Sequence, residues 1–175
     1  EVYIVTGQKN SLHAHREGNV IRMPGVELKK LYGYTLSTPY HFEVKKEVED
    51  LHLDVIHVQQ EFSVGIFGRI LGHNLHIPVV YTYHTLYEDY THYVNFFDLN
   101  SVEKISKKAV YSLSRYLCNS VSGIIAPSEK TREKLLGYGV TRPIYVIPTG
   151  LDLDSFAHEQ VSGELCAQVR ERHGI

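Results

Sequence analysis

Residues 78–93 read PVVYTYHTLYEDYTHY, and this stretch decides the fold. Its first half, running on from Ile77, is a β-branched and aromatic run introduced by proline, the pattern of a strand buried on both faces. Its second half changes character. Tyr81 to Tyr93 holds five of the thirteen tyrosines and two of the eleven histidines of the chain, together with Glu88 and Asp89. A buried strand that ends in titratable and aromatic groups is the pattern of a binding site at a strand end.

Working outward, the same alternation repeats. Short apolar runs at Val2–Thr6, Asn19–Met23, Asp54–Val58, Gly123–Ala126 and Ile144–Ile147 read as further strands. Helical patterns separate them at Pro39–Leu51, Ser63–His76, Ser101–Asn119 and Ser128–Leu136, and another follows at Glu164–Gly174. Ser128 with Glu129 reads as an N-cap followed by an acidic first turn. Strand–helix alternation predicts an α/β fold: a Rossmann-like parallel sheet with helices on both faces. In such a sheet ligands bind beyond the carboxyl ends of the strands. That rule collects Gln59, Gln60 and Glu61, then His84, then Pro127 and Ser128, then Pro148, Thr149 and Gly150, along one edge.

Composition bounds the rest. A chain of 175 residues with 43% hydrophobic and 22% charged residues suits one soluble core. A net charge of −2 gives no general attraction to nucleic acid or anionic membrane, so none is expected with nucleic acid. No apolar run is long enough to span a bilayer. Cys118 and Cys166 form no metal or redox spacing, and a cytoplasmic setting is expected. The start at Glu1 reads as a segment of something longer.

His84 is the first candidate for chemistry, since an imidazole past a strand end can bond a sugar hydroxyl or move a proton. Thr85, Glu88 and Asp89 lie beside it as binding residues. Glu61 could take a substrate hydroxyl or cap the following helix. Tyr83, Tyr87, Tyr90 and Tyr93 could stack on a sugar or pack half-buried. His84, Glu88 and His92 would share one face of a continuing helix and could hold a metal, though no fixed metal motif is matched. On Ser101–Asn119, Lys104, Lys107, Lys108 and Arg115 read as the solvated face of a surface helix or could meet anionic head groups, while Val102, Ile105, Ala109, Val110, Leu113 and Tyr116 read as its apolar side. Lys29 and Lys30, before Leu31, Tyr32 and Tyr34, form a smaller basic-aromatic patch. His13 and His15 read as residues of a polar loop. No phosphate loop, dinucleotide fingerprint, nucleophile elbow or zinc-protease motif occurs.

Four segments together resemble one family: HVQQEFSVGIFG (57–68), VVYTYHTLYEDYTHY (79–93), SRYLCNSVSGIIAPSEKTREKLLGYGV (114–140) and YVIPTGLDLDSF (145–156). They are similar to the N-terminal domain of glycosyltransferase family 4, and within it to bacterial glucosyltransferases that act on diacylglycerol lipids. The resemblance implies the acceptor-side half of a two-domain GT-B enzyme, with residues 1–156 in that half. Residues 157–175 would lead towards a nucleotide-sugar domain outside this chain. It implies a retaining, metal-independent transfer without cofactor, from a donor such as UDP-glucose to a lipid acceptor, with peripheral contact at the inner membrane face. On this pattern His84 contacts the donor sugar. Glu61, Glu88 and Asp89 surround the acceptor, and Thr149 and Gly150 lie near the donor. Thr85 and Arg115 are further substrate-binding candidates.

Departures from the family pattern also carry expectations. Glu1 aligns with the family's second strand, so the first strand and its glycine loop are not in this chain, and 175 residues alone are expected to be marginally stable. The helix that is often basic in lipid-acting relatives has here only Arg69 and nearby histidines. The residues alone leave other readings open: a soluble sugar or cell-wall acceptor, a non-catalytic carbohydrate- or lipid-binding module, and a metal hydrolase on His84, Glu88 and His92.

Overall fold

The β-branched runs of the central sequence pair as a parallel sheet in the computed structural model, which describes residues 1–28, 34–86, 102–154 and 162–175. Strands β5 (Ile56–Val58), β6 (Val79–Thr82), β7 (Gly123–Ala126) and β8 (Ile144–Val146) lie in that order, all parallel. Their register pairs Val58 with Tyr81, Tyr81 with Ile124, and Ile124 with Ile144. Helices α2 (Val64–Leu75), α3 (Val102–Asn119) and α4 (Glu129–Gly137) make the crossovers. Each right-handed crossover steps the same way across the sheet, so all three helices fall on one face. Val58, Val79, Tyr81 and Ile124 of that face form one core with Cys118 of α3 and Leu135 of α4. The expected α/β fold with a parallel sheet is thus present, and these three helices cover one of its faces. The opposite face carries His57, Val80, Thr82, Ile125 and Tyr145, of which His57 and Tyr145 are exposed.

The first part of the chain builds a second sheet. Strand β1 (Ile4–Lys9) pairs in parallel with β3 (Val20–Leu28), and β2 (His15–Glu17) and β4 (Tyr34–Ser37) pair antiparallel with β3. The expected parallel sheet is there as β5 to β8, and the first part of the chain adds another: among the described residues the strands form two four-stranded sheets, one mixed and one parallel. The reason is local. Glu17 faces Val20 across Gly18 and Asn19, with Gly18 at φ +57°, so a two-residue turn folds β2 back onto β3 before any crossover can form. His15 is thus a strand residue rather than a loop residue. Beneath this sheet a second core joins Ile21 and Met23 to Val44 and Val48 of α1 (Phe42–Glu49) and to Phe67 and Leu71 of α2. Ile56 packs against both cores.

Helix α2 brings its glycine face against the parallel sheet. A Cβ on Gly72 would stand 2.1 Å from Val79 Cγ2, and one on Gly65 would stand 1.9 Å from the Gln60 carbonyl oxygen. The helix backbone approaches as closely as it does because those side chains are hydrogen atoms. At its N-terminus, buried Ser63 holds φ 55° and ψ −112°, uncommon for a residue with a side chain. Its Oγ accepts from the Ser37 amide at 2.7 Å and donates to the Ser37 carbonyl at 3.1 Å, tying α2 to the end of β4. Ser128 caps α4 as its sequence predicts, its Oγ accepting from the Thr131 amide at 3.2 Å. Helix α5 (Gly163–His173) has no buried residue. Among the described residues no helix is long and apolar enough to cross a membrane.

Candidate active site

Because β5 to β8 are parallel, their carboxyl ends lie along one edge. Gln59 leaves β5 there, His84 and Thr85 leave β6, Ser128 leaves β7, and exposed Thr149 and Gly150 follow β8. His84 is exposed at this edge and is not isolated. Its Nε2 lies 2.7 Å from Gln59 Oε1. The Gln59 amide nitrogen lies 3.2 Å from Nδ1 and 3.1 Å from Nε2 of His57. His57 Nε2 in turn meets Thr82 Oγ1 at 2.7 Å. A chain of four polar side chains therefore runs along the face of the sheet opposite the three helices to its edge. Although His57 is largely open to solvent, the partial desolvation of its ring, and then the nearby His84 charge, holds its imidazole below its ordinary pKa, favouring the neutral form.

The strand pleat explains why the alternation Tyr-Thr-Tyr-His yields two environments. Thr82 and His84 serve the face away from the three helices, whereas Tyr81 and Tyr83 point into the core. The Tyr81 hydroxyl donates to Glu61 Oε1 at 2.7 Å, and the Tyr83 hydroxyl pairs with Ser114 Oγ of α3 at 2.8 Å. The Arg69 guanidinium carbon sits 4.4 Å from the Tyr81 ring centre, a cation–π contact. Arg69 Nη1 donates to the Gly65 carbonyl at 2.9 Å, while its Nε and Nη2 are buried without a hydrogen-bond partner. Burial pushes the Tyr81 phenol well above its ordinary value, with Glu61 adding to the effect. Burial also pushes the Cys118 thiol up to about 12, against the opposing pull of Arg69. Both groups are held neutral.

Several sequence-based expectations change here. Glu61 is buried and its Oε1 accepts from Tyr81; it does not cap α2, which has no side-chain cap. Tyr83 is 1% exposed, so it packs in the core and does not stack on a sugar. Arg69 is buried and unavailable to a head group. Arg115 is exposed but stands at the opposite edge. Its side chain lies beside Gly139, and neighbouring Asn119 accepts from the Thr141 amide at 2.9 Å, both just before β8 begins. The structure therefore does not bring Arg115 to His84. The apolar side of α3 is also different from the one expected. Ser114, Leu117 and Cys118 are buried, while Ala109, Leu113 and Tyr116 are exposed. Glu88, Asp89 and His92, with Tyr87, Tyr90 and Tyr93, lie outside the described residues, as does the patch at 29–33. Among the described residues no group of three His, Cys, Asp or Glu side chains could hold a metal ion. Sequence reasoning did not single out Gln59 and His57 as partners of His84. Their signal was the parity of residues 57, 59, 82 and 84 on adjacent strands.

The described surface also has two shallow grooves. One, of about 340 Å³, lies between α3 and α4 and is lined by Tyr111, Lys130 and Tyr138 among others. The other, of about 320 Å³, is lined by Arg115, Tyr116 and Asn119 among others. Both are built from helix residues and do not include His84.

Comparison with known proteins adds identity to this geometry. The family model for Glycosyltransferase Family 4 matches residues 1–155. An alpha-monoglucosyldiacylglycerol synthase of Streptococcus pneumoniae (strain ATCC BAA-255 / R6) is 33% identical over 174 residues, covering 99% of this chain and 38% of that protein. An alpha-monoglucosyldiacylglycerol synthase of Acholeplasma laidlawii is 30% identical over 177 residues, covering 100% of this chain and 44% of that protein. The chain thus spans less than half the length of these relatives. With a family match across residues 1–155 and a parallel sheet whose carboxyl edge holds His84, the chain belongs to glycosyltransferase family 4.

Proposed function

We propose that this chain is the acceptor-side half of a GT-B glycosyltransferase that moves a hexose, glucose, from a nucleotide-sugar donor such as UDP-glucose to a diacylglycerol-type lipid, with retention at the anomeric carbon. The observation that carries this reading is His84, exposed at the carboxyl edge of a parallel sheet and braced by Gln59 at 2.7 Å, in a chain 30–33% identical to the two glucosyldiacylglycerol synthases. In the proposed reaction the bond between sugar and phosphate breaks and the acceptor oxygen bonds to the same carbon. The acceptor proton passes to the departing phosphate. The protein then contributes position and charge stabilisation rather than a covalent nucleophile. His84 and Thr85 would lie against the sugar, and Glu88 and Asp89 against the acceptor. Thr149 and Gly150 would lie near the donor. The reading assigns no metal or cofactor. A second domain of the same protein would hold the nucleotide, and the protein would work peripherally at the cytoplasmic side of a membrane. The exposed residues Lys108, Leu113, Arg115 and Tyr116 of α3 suit contact with an anionic lipid surface, at some distance from His84.

The test is transfer from labelled UDP-glucose by the intact protein, with diacylglycerol vesicles compared against soluble sugar acceptors. Label should enter the lipid fraction. His84→Ala should lower kcat/KM by roughly 10²-fold or more while the unfolding midpoint stays unchanged. Near-wild-type turnover by His84→Ala would remove His84 from the site, and label appearing only on soluble acceptors would replace the lipid reading.

A further inference from the structure

We propose that Gln59 is a positioning residue for His84: braced by His57 and Thr82, it fixes the His84 ring as the tautomer protonated on Nε2, so that Nδ1 faces the cleft as a hydrogen-bond acceptor. The inference rests on the reading that His84 works at the sugar, and it specifies what His84 offers there.

Its basis is the direction of each hydrogen bond. A glutamine amide has one end that accepts and one that donates. The accepting end, Oε1, is 2.7 Å from His84 Nε2, so that nitrogen carries the proton. The donating end lies 3.1–3.2 Å from both ring nitrogens of His57 and rests against that ring. The Thr82 hydroxyl, 2.7 Å from His57 Nε2, completes the chain and holds that ring in place. Reversing the Gln59 amide would set its NH2 against His84 Nε2 and require the other His84 tautomer. It would also set Oε1 against His57, which could pair with it only as a donor. The 2.7 Å contact to His84 is the shortest that Gln59 makes, and in the direction seen His84 Nε2 donates it. Among the described residues His84 Nδ1 makes no hydrogen bond. Once Nε2 is committed to Gln59, Nδ1 is the free nitrogen of the ring. A neutral His84 held this way accepts from a sugar hydroxyl and cannot donate to one. It thereby selects substrates by a hydroxyl whose proton points at the ring.

The experiment reads the tautomer directly, from the ring nitrogen-15 shifts and two-bond couplings of His84 in the intact protein, above the pH at which the ring is charged. The wild type should show the Nε2–H form. Gln59→Leu should give a mixture of tautomers, and Gln59→Glu, which keeps an accepting oxygen, should restore the Nε2–H form. Gln59 is exposed, so neither variant should move the unfolding midpoint. In transfer assays Gln59→Leu should lower kcat about tenfold with KM little changed, well short of the ~10⁴ lost when a catalytic histidine is held in the wrong tautomer. Gln59→Glu should recover part of that loss. An Nδ1–H ring in the wild type, or a tautomer indifferent to Gln59→Leu, overturns the proposal even if His84→Ala is inactive. Conversely, an active His84→Ala defeats the transfer reading, while the nuclear magnetic resonance result still decides the relay.

Discussion

Tyr81 and His84 are three residues apart and work on opposite faces of one strand. Tyr81 anchors a buried polar group beneath the sheet: its hydroxyl satisfies Glu61, and its ring lies against Arg69. Such groups depend on every partner, because a lone polar atom in the core keeps its full desolvation cost. Tyr81→Phe removes the donor and leaves the Glu61 carboxylate short of a bond. It is expected to cost about 1–3 kcal/mol, seen as a lower urea midpoint. A midpoint equal to wild type would mean that Glu61 finds another partner. The Tyr-Thr-Tyr-His parity was available in the sequence, and applied strictly it places Tyr81 and Tyr83 together, opposite Thr82 and His84. What it could not give was the sign: which pair is inside depends on the helices that cover the sheet. Glu61 shows the same limit. As a carboxylate just before a helix it reads as a cap, yet its turn carries it inward to a tyrosine twenty residues away.

At the scale of elements, α2 is held by backbone proximity rather than by large side chains. Gly72→Ala would drive a methyl group to 2.1 Å from Val79 Cγ2 and to 3.0 Å from the Ile77 carbonyl oxygen, so helix and strand must separate. The expected loss is about 1–3 kcal/mol. Gly137→Ala on α4 is the control, since an added Cβ there meets nothing within 4 Å. Equal midpoints for the two variants would dispose of the close-approach explanation. Most elements were legible: the β-branched runs became β5 to β8, and the capping serine of α4 lies where its sequence puts it. Strand β2 was missed although Gly18-Asn19 is a known hairpin signal. The buried side of α3 was misread because both sides carry apolar residues at helical spacing. Ala109, Leu113 and Tyr116 form as regular a stripe as Val110, Ser114, Leu117 and Cys118. The stripe that is buried contains a serine, whose hydroxyl is accommodated by Tyr83.

For the whole molecule, the two cores meet through Ile56 and α2, and the more polar of them sets the response to pH. Cys118 is raised from 9.0 to about 12, and Tyr81 is raised above its ordinary 10.0. A group whose pKa is higher when folded stabilises fully below its unfolded value and loses that contribution as pH rises towards the folded value. Stability should therefore fall from about pH 9, steepening once tyrosine ionises in the unfolded chain. The slope should reach up to about 1.4 kcal/mol per pH unit for each group. Urea midpoints between pH 8 and 11 would record this, and Cys118→Ala should flatten the first part of the decline. A midpoint constant from pH 8 to 11 would contradict the burial of both groups.

The sequence by itself determined the alternation of strands and helices, the caps, and the set of loops that share the carboxyl edge with His84. These depend on periodicity and local backbone preference, which each segment carries within itself. Only the tertiary structure decided that the strands divide into two sheets and which stripe of α3 is buried. It also decided that Glu61 turns to Tyr81, that Arg115 stands at the far edge, and that His57 and Gln59 stand behind His84. Those outcomes depend on register and on which surfaces meet, and a partner twenty or more residues away leaves no periodic trace in the segment it will touch.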